Sequence, residues 1–233
     1  MHVCMCLSQC FQLINVPLDR LVCDVTELCP PGCSCIKRPS SHSFEVFCPP
    51  ATLSSLPYHL PNPNEPPPRQ GKFDLSFGGN SMKFLESRDY FANTSRVDVS
   101  NSKIDTVTDE TWRSLQRVDR VDLSGNRLTT LPRLLQTENI MFQWISLRDN
   151  PLSCECEQRW LSTWLKSLGS ALHQPDSVKC HSPDWLKHRS IVSLQNDDYC
   201  RNPDRERVLY VLKVRKHCRL TRNVSKYSNP RFV

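Results

Sequence analysis

A short pattern of apolar positions occurs four times in the middle of the chain. In each copy, two apolar residues flank one other position, and an asparagine or serine and a further apolar residue follow. The copies begin at Leu75, Val97, Val121 and Ile145, which are 22, 24 and 24 residues apart. Alternating apolar residues are typical of a strand with one buried face. The pattern therefore predicts four short strands and turns, which must stack because no single unit can bury its apolar edge alone.

The polar residue after the strand is Asn80, Asn126 or Asn150, with Ser102 in the second copy. A side-chain amide both donates and accepts hydrogen bonds, so it can satisfy main-chain groups that a turn leaves without partners. We therefore expect the three asparagines to be structural residues. A serine can do only part of this, so we expect the second repeat to be the least regular.

Three further segments lie outside the repeats. Phe44, Val46 and Cys48 alternate with Glu45 and Phe47, which is the period of a strand. Residues 57–68 contain six prolines, which exclude a helix and fit an extended linker. Residues 157–168 carry two tryptophans and three leucines at helical spacing, followed by a glycine, and predict a helix that covers the last repeat.

Thirteen cysteines indicate an oxidising compartment. Twelve of them form three clusters of four: Cys4, Cys6, Cys10 and Cys23; Cys29, Cys33, Cys35 and Cys48; Cys154, Cys156, Cys180 and Cys200. Each cluster can pair in three ways as far as the sequence tells. Glycosylation sequons at Asn93 and Asn223 agree with an extracellular location.

The net charge of +6 belongs to the end of the chain. Residues 201–233 contain ten Lys and Arg against two acidic residues, so residues 1–200 sum to −2. Nucleic-acid binding needs basic residues over a folded face, so we expect no nucleic-acid partner and a solvated, disordered tail. A tail that docks onto acidic glycans or a membrane surface is a further alternative.

Catalytic and metal-binding patterns are absent from the sequence. Only six glycines occur, with no phosphate-binding loop or nucleophile elbow, and the seven histidines form no metal-ligand motif. The outer spacings of the cysteines do not match zinc fingers. We expect no enzymatic activity, no cofactor and no bound metal.

The cysteine clusters and their neighbours resemble the caps of extracellular leucine-rich repeat proteins. Asn150-Pro151-Leu152-Ser153-Cys154-Glu155-Cys156, followed by Trp160-Leu161, Cys180 and Cys200, resembles the C-terminal cap, and Cys29-Pro30-Pro31-Gly32-Cys33-Ser34-Cys35 resembles the N-terminal cap. Residues 14–23 echo residues 191–200, as the remnant of an earlier C-terminal cap would. This order resembles the membrane-proximal ectodomain of insect-type Toll receptors, over roughly residues 10–200.

The resemblance implies a fold and a disulfide pairing. The fold is an α/β leucine-rich repeat solenoid, with a short parallel sheet of about four repeats between disulfide-bonded caps. The implied pairs are Cys29–Cys35, Cys33–Cys48, Cys154–Cys180 and Cys156–Cys200. Cys218 has no evident partner. The implied parts are an upstream cap remnant (1–28), N-terminal cap (29–56), Pro-rich linker (57–71), four repeats (72–152), C-terminal cap (153–200) and basic tail (201–233).

The strand positions beside the buried pairs face the concave surface of such a solenoid. One column is Asp74, Arg96, Arg120 and Trp144, and the next is Ser76, Asp98, Asp122 and Ser146. Trp and Arg are enriched at binding hot spots, so Asp74, Arg96, Asp98, Arg120, Asp122 and Trp144 are candidate partner-binding residues, with an exposed Trp144. An ordinary solvated sheet face is the alternative.

The Toll resemblance implies a receptor module that binds a dimeric cystine-knot ligand and a second receptor chain. A Toll receptor continues to a membrane helix and a TIR domain, and this sequence has neither; its N-terminus also lacks the pattern of a signal peptide. We therefore expect an incomplete piece of a receptor at the outer face of the plasma membrane. The alternative is a secreted binding, decoy or adhesion protein.

Overall fold

The computed structural model describes residues 22–38, 43–61, 71–133 and 142–200. Eleven strands and three α-helices are assigned in these ranges, with single turns of 3-10 helix between them. The strands are β1 (Cys23–Asp24), β2 (Ser34–Arg38), β3 (Ser43–Phe47), β4 (Lys72–Ser76), β5 (Phe84–Leu85), β6 (Thr94–Asp98), β7 (Thr106–Val107), β8 (Arg120–Asp122), β9 (Trp144–Ser146), β10 (Leu152–Ser153) and β11 (Cys180–Ser182). The helices are α1 (Asp109–Leu115), α2 (Arg159–Ser167) and α3 (Asn196–Cys200).

The predicted stack of parallel strands is confirmed. Seven strands form one sheet in the order β1-β2-β3-β4-β6-β8-β9. The N-terminal cap supplies β1, β2 and β3, which pair antiparallel, and the four repeat strands continue from β3 in parallel. Apart from this sheet, β5 and β7 form a short parallel pair of their own. The cap sheet and the repeat sheet are thus continuous.

The apolar residues of the repeats form a single core. Each predicted inward position on the strands is fully buried, from Leu75 and Phe77 in the first repeat to Ile145 and Leu147 in the last. The apolar residue that follows each turn polar residue is also fully buried: Met82, Ile104, Leu128 and Leu152. Stacking therefore buries along the whole array what no isolated repeat could bury.

The three structural asparagines connect neighbouring repeats. Asn126 donates to the carbonyl oxygens of Val99 and Leu123, each at 2.9 Å, and its Oδ1 accepts backbone N–H groups of the preceding repeat. Asn80, two repeats earlier, and Asn150, one repeat later, make the equivalent contacts. Because these backbone groups are buried in turns, the amides supply partners that water cannot.

Ser102 replaces the asparagine in the second repeat with fewer contacts. Its buried hydroxyl lies 3.2 Å from the Phe77 carbonyl oxygen and accepts the backbone N–H of Asn80 at 3.3 Å. The strand of this repeat, β6, is nevertheless five residues long, against three in β8 and β9.

The residue just before each turn polar position has a left-handed backbone. Positive φ values recur at Gly79, Asn101, Gly125 and Asp149, and at Ala51 in the N-terminal cap. The N–H of Gly79 donates to the Ser100 carbonyl oxygen at 2.7 Å, and that of Asn101 to Ser124 at 2.8 Å. Each turn is thus hydrogen-bonded to the same turn of the next repeat.

Four disulfides close the two caps. They join Cys29 to Cys35, Cys33 to Cys48, Cys154 to Cys180 and Cys156 to Cys200. These are the pairs that the family resemblance implies. Because the bonds lie at both ends of the array, they hold the terminal units that would otherwise expose the core.

The predicted cap helix is present as α2, but it begins two residues later than predicted because Cys156–Gln158 forms a 3-10 turn. Trp164 of α2 packs on Trp112 of α1 with ring centroids 5.7 Å apart, and Trp160 packs on Trp164 at 6.3 Å. The tryptophans therefore join the cap to the repeats, and Gly169, with a positive φ, follows the helix.

Two contacts cross boundaries that were drawn on the sequence. Cys23–Asp24, in the segment assigned to an upstream cap, pairs with β2 of the N-terminal cap. Pro57, at the start of the predicted linker, accepts a hydrogen bond from the Tyr90 hydroxyl at 3.0 Å, so the first linker residues pack on the repeats. Residues 1–21, 62–70 and 201–233 lie outside the described ranges.

Candidate protein-binding face

The sheet brings the predicted columns into register. Asp74 lies opposite Arg96, Arg96 opposite Arg120, and Arg120 opposite Trp144 on successive strands. The neighbouring column of Ser76, Asp98, Asp122 and Ser146 is aligned in the same way. We call the side of the sheet that carries these residues the open face. Adjacent strands lie about 4.8 Å apart, so each column is a continuous row of side chains.

The ion pairs that Arg96 makes on the open face are loose. Arg96 lies 3.8 Å from an Asp74 oxygen and 3.9 Å from an Asp98 oxygen, and its side chain is 47% exposed. These separations exceed hydrogen-bond length, and exposed pairs of this kind contribute little to stability. Arg96 is therefore able to exchange these neighbours for charged groups of a partner.

Burial dominates the electrostatics of Asp74. It raises the pKa of this carboxyl above the ordinary value, while the nearby guanidinium of Arg96 opposes the shift without cancelling it. The folded protein thus holds a partly desolvated carboxylate at neutral pH. A basic group from a partner would relieve this cost.

Trp144 is half-buried, which corrects the expectation of an exposed tryptophan. Its ring lies 4.9 Å from the His173 ring, and the Arg120 guanidinium lies 5.5 Å from the Trp144 ring. His173 is held in place because its backbone N–H donates to the Ile145 carbonyl oxygen at 2.8 Å. Both neighbours leave less of the indole for a partner than its sequence position suggests.

Ser146 is aligned with the second column, but it is completely buried, which corrects the prediction that it faces the concave surface. The segment after α2 runs along β9, where Leu172 forms a parallel bridge with Ile145. The C-terminal cap therefore covers the last position of the second column. Its hydroxyl has no hydrogen-bond partner among the described residues.

Asp98 and Asp122 are fixed by the turns that follow their strands. Asp98 Oδ1 accepts the backbone N–H of Ser100 at 3.0 Å, and Asp122 Oδ1 accepts that of Ser124 at 2.9 Å. The Ser124 hydroxyl also donates to Asp122, at 2.6 Å. These bonds orient the two carboxylates side by side on adjacent strands.

The open face extends into the N-terminal cap, which the sequence analysis did not include. Glu45 of β3 lies opposite Asp74 and forms an ion pair with Arg38, whose Nη2 lies 3.0 Å from Glu45 Oε2. Phe47 lies opposite Ser76 and is 50% exposed. The alternation of Phe44, Val46 and Cys48 was the available signal, because it predicts that Glu45 and Phe47 point to the other side.

The predicted glycosylation site at Asn93 is exposed. It ends a 3-10 turn immediately before β6, where Thr94 and Ser95 complete the sequon. Asn223 and Cys218 lie outside the described residues.

Within the described ranges, no group of three His, Cys, Asp or Glu side chains is arranged to hold a metal ion. In the same part of the chain, no helix has the length and apolar character needed to span a bilayer.

Comparison with family models gives no match. Among curated proteins, the chain is similar to trophoblast glycoprotein of Macaca fascicularis, with 26% identity over 134 residues that cover 55% of the chain and 31% of the relative. It is also similar to leucine-rich repeat and fibronectin type III domain-containing protein 1 of Danio rerio, with 26% identity over 143 residues that cover 56% and 23%. Vasorin of Xenopus tropicalis is 34% identical over 55 residues, which cover 24% of this chain and 8% of vasorin. The chain thus spans less than a third of these relatives.

Among solved structures, a chain of the Drosophila Toll–Spatzle complex matches with a TM-score of 0.66 and 20% identity, over 80% of this chain and 24% of that one. At this identity the likeness shows the fold alone. Together with the parallel sheet and the disulfide-bonded ends, it defines the molecule as a capped leucine-rich repeat solenoid. The sequence relatives support a leucine-rich repeat ectodomain in general and do not single out the Toll type.

Proposed function

We propose that this chain is an extracellular ligand-binding and dimerisation module of a Toll-like receptor. The observation that carries the binding role is the open face, whose strands are continuous from β3 to β9 and whose Arg96 is only loosely paired with Asp74 and Asp98. The order of the cysteine clusters in the sequence supports the Toll type in particular. The likeness to a chain of the Toll–Spatzle complex is consistent with it.

The mechanism is a change of association state. A dimeric protein ligand of the cystine-knot type binds two chains and brings their C-terminal caps together. Signal transfer then depends on the difference in free energy between the single and the paired receptor. The described residues contribute recognition, and no bond is formed or broken.

A binding experiment with Spatzle tests this proposal. The whole chain, secreted with its disulfides intact, is mixed with the dimeric ligand and followed by sedimentation velocity. We expect a complex with two copies of the chain per ligand dimer. A ligand that sediments independently of the chain would contradict the Toll assignment.

Two variants separate binding from stability. Arg120→Ala should weaken the complex about tenfold and change the melting temperature little, because Arg120 is exposed and its contact with the Trp144 ring contributes little at such a site. Trp144→Ala should weaken binding and also lower the melting temperature, because the indole packs on His173. Unchanged affinity in both variants would remove this part of the open face from the interface.

A second candidate is a secreted binding, decoy or adhesion protein. It is favoured by sequence similarity to proteins outside the Toll type, including chondroadherin of Mus musculus, which is 28% identical over 105 residues, or 45% of this chain and 28% of the relative. In this case the chain binds its partner without pairing. The sedimentation experiment distinguishes the two candidates when it is repeated with an antibody fragment that binds the C-terminal cap. The fragment should join the complex of a decoy, whose caps remain accessible, and should be excluded from a receptor complex in which two caps are in contact.

A further inference from the structure

Phe47 is a partly exposed aromatic side chain on the open face. In its row, Phe47 lies between Ser34 of β2 and Ser76 of β4. Neither serine is large enough to cover an aromatic ring, and the side chain stays 50% exposed. A half-exposed aromatic ring on a sheet face can act as the apolar anchor of an interface, because aromatic residues, including Phe, are enriched at the cores of protein interfaces.

Two oriented carboxylates continue the same row. Beyond Ser76 come Asp98 and Asp122, and no basic residue lies in the row between Ser34 and Ser146. The nearby Arg96 of the next column lies 3.9 Å from Asp98, beyond hydrogen-bond length, so it leaves this carboxylate able to bind a second basic group. Each aspartate uses one oxygen to accept a backbone N–H of its own turn. The carboxylates therefore have fixed positions before any partner binds, which lowers the entropic cost of a charged contact.

The spacing of the row defines the shape of its partner. Asp98 lies two strands from Phe47 and Asp122 three strands, which corresponds to about 10 and 14 Å. A partner that covers the ring with an apolar side chain would thus meet the carboxylates with groups two or three strand widths further on.

We propose that Phe47, Asp98 and Asp122 form a docking surface for a protein segment that presents an apolar side chain beside Lys or Arg. This inference rests on the proposed binding role of the open face and assigns the hot spot to its N-terminal half. Charge complementarity selects the basic partner. Nucleic acids and acidic glycans are disfavoured, because the row would meet their negative charges with carboxylates.

The half-buried state of Trp144 supports this assignment. The indole already has Arg120 and His173 as neighbours, so part of its surface is used within the protein. Phe47 has no ring or cation neighbour of this kind recorded among the described residues. A partner therefore gains more newly buried apolar area at Phe47.

Selection from a phage-displayed library of short cyclic peptides tests the proposal directly. The whole disulfide-bonded chain is immobilised, and bound peptides are sequenced and synthesised. We expect the enriched peptides to combine an aromatic or aliphatic residue with Lys or Arg, and their affinity to fall at high salt. Phe47→Ser, and separately Asp98→Asn with Asp122→Asn, should each weaken binding at least about tenfold.

Matched controls exist within the chain. Phe84 is 51% exposed and lies on β5, outside the open face, so Phe84→Ser removes an equally exposed ring elsewhere. Glu157→Gln with Asp176→Asn removes two exposed carboxylates of the C-terminal cap. Both controls should bind the selected peptides as the unchanged chain does. The asparagine substitutions keep the acceptor for the turn N–H groups, so these variants should fold.

The outcomes separate this inference from the proposed function. Peptides that lose affinity only in Arg120→Ala would overturn the Phe47 surface and leave the open face as a binding site. Peptides that are insensitive to every open-face variant, or a library that yields no specific binder, would overturn both. Enrichment of acidic peptides would also overturn the inference.

Discussion

The Oδ1 atom of Asn126 accepts the backbone N–H of Ile104 at 3.0 Å, although the two residues are 22 positions apart in the chain. The same side chain binds Val99 and Leu123 through its amide N–H groups. One asparagine therefore holds two repeats in register. Asn126 is therefore a structural residue, and it affects the open face only by fixing the relative positions of the strands.

Asn126→Ala should lower the free energy of unfolding by about 3 kcal/mol, because several buried backbone groups lose their partners at once. Ser102→Ala should cost only about 1 kcal/mol, since one hydroxyl makes fewer bonds. Urea unfolding with the disulfides intact measures both. Asn93→Ala, at an exposed position, is the control. Equal losses in Asn126→Ala and Ser102→Ala would contradict the structural role given to the asparagine amides.

Gly125→Ala should destabilise the fold by about 2 kcal/mol or more. Gly125 has a φ of +66°, and an added Cβ would lie within 2.9 Å of Asn101 Cγ, so both backbone strain and a steric clash oppose it. Asp149→Gly, at the equivalent turn with a φ of +57°, should leave the melting temperature unchanged or higher. Thermal unfolding compares the pair; a tolerated Gly125→Ala would mean that the turns are not constrained.

The loop that Cys156 and Cys200 close spans 44 residues, against 6 for Cys29 and Cys35. By the chain-entropy model, replacing Cys156 and Cys200 by Ser should cost about 4 kcal/mol, and replacing Cys29 and Cys35 about 2 kcal/mol. Denaturant unfolding followed by tryptophan fluorescence reports the difference. Losses in the reverse order would show that loop entropy does not govern the caps.

Asp74→Asn should stabilise the protein slightly at neutral pH. Burial raises the pKa of Asp74 in the folded state, so the unfolded chain loses this proton first as the pH rises, and ionisation favours unfolding. The gain should therefore be present at pH 7 and vanish below about pH 4, where the carboxyl is protonated in both states. Denaturation curves at several pH values test the sign, with Asp176→Asn as the exposed control.

Secretion from eukaryotic cells should give a glycan at Asn93, because the sequon is exposed before β6. Peptide mass spectrometry after enzymatic deglycosylation locates it, and Asn93→Gln should remove it without changing the unfolding curve. An unmodified Asn93 in correctly disulfide-bonded protein would contradict the extracellular proposal.

Local patterns in the sequence predicted most of the fold. Alternation identified the inward residues of every repeat, and the helical spacing of residues 157–168 identified α2 within two residues. The sequence pattern did not predict α1, because its seven residues carry only Trp112 and Leu115 as large apolar side chains, too few for a clear period.

The errors at the candidate site arise from contacts between distant segments. Ser146 and Trp144 were predicted to be open to solvent from strand alternation, which cannot reveal that residues 172 and 173 return along β9. Phe47 was missed because its row had to be continued from the repeats into the cap. The covering of β9 and the extension of the row to Phe47 both depend on which segments lie side by side in the fold, and the sequence pattern does not determine this.

The hydrogen bonds between the left-handed turns determine how repeats can be gained or lost during evolution. Gly79, Asn101 and Gly125 each donate a backbone N–H to the next repeat, so every unit presents donors on one side and acceptors on the other. A tandem duplication of residues 97–120 would therefore add one more repeat, whose turn could form the same backbone hydrogen bonds with the repeats on both sides. Growth or loss of the array by whole units of 24 residues would widen or narrow the recognition surface and leave both caps untouched.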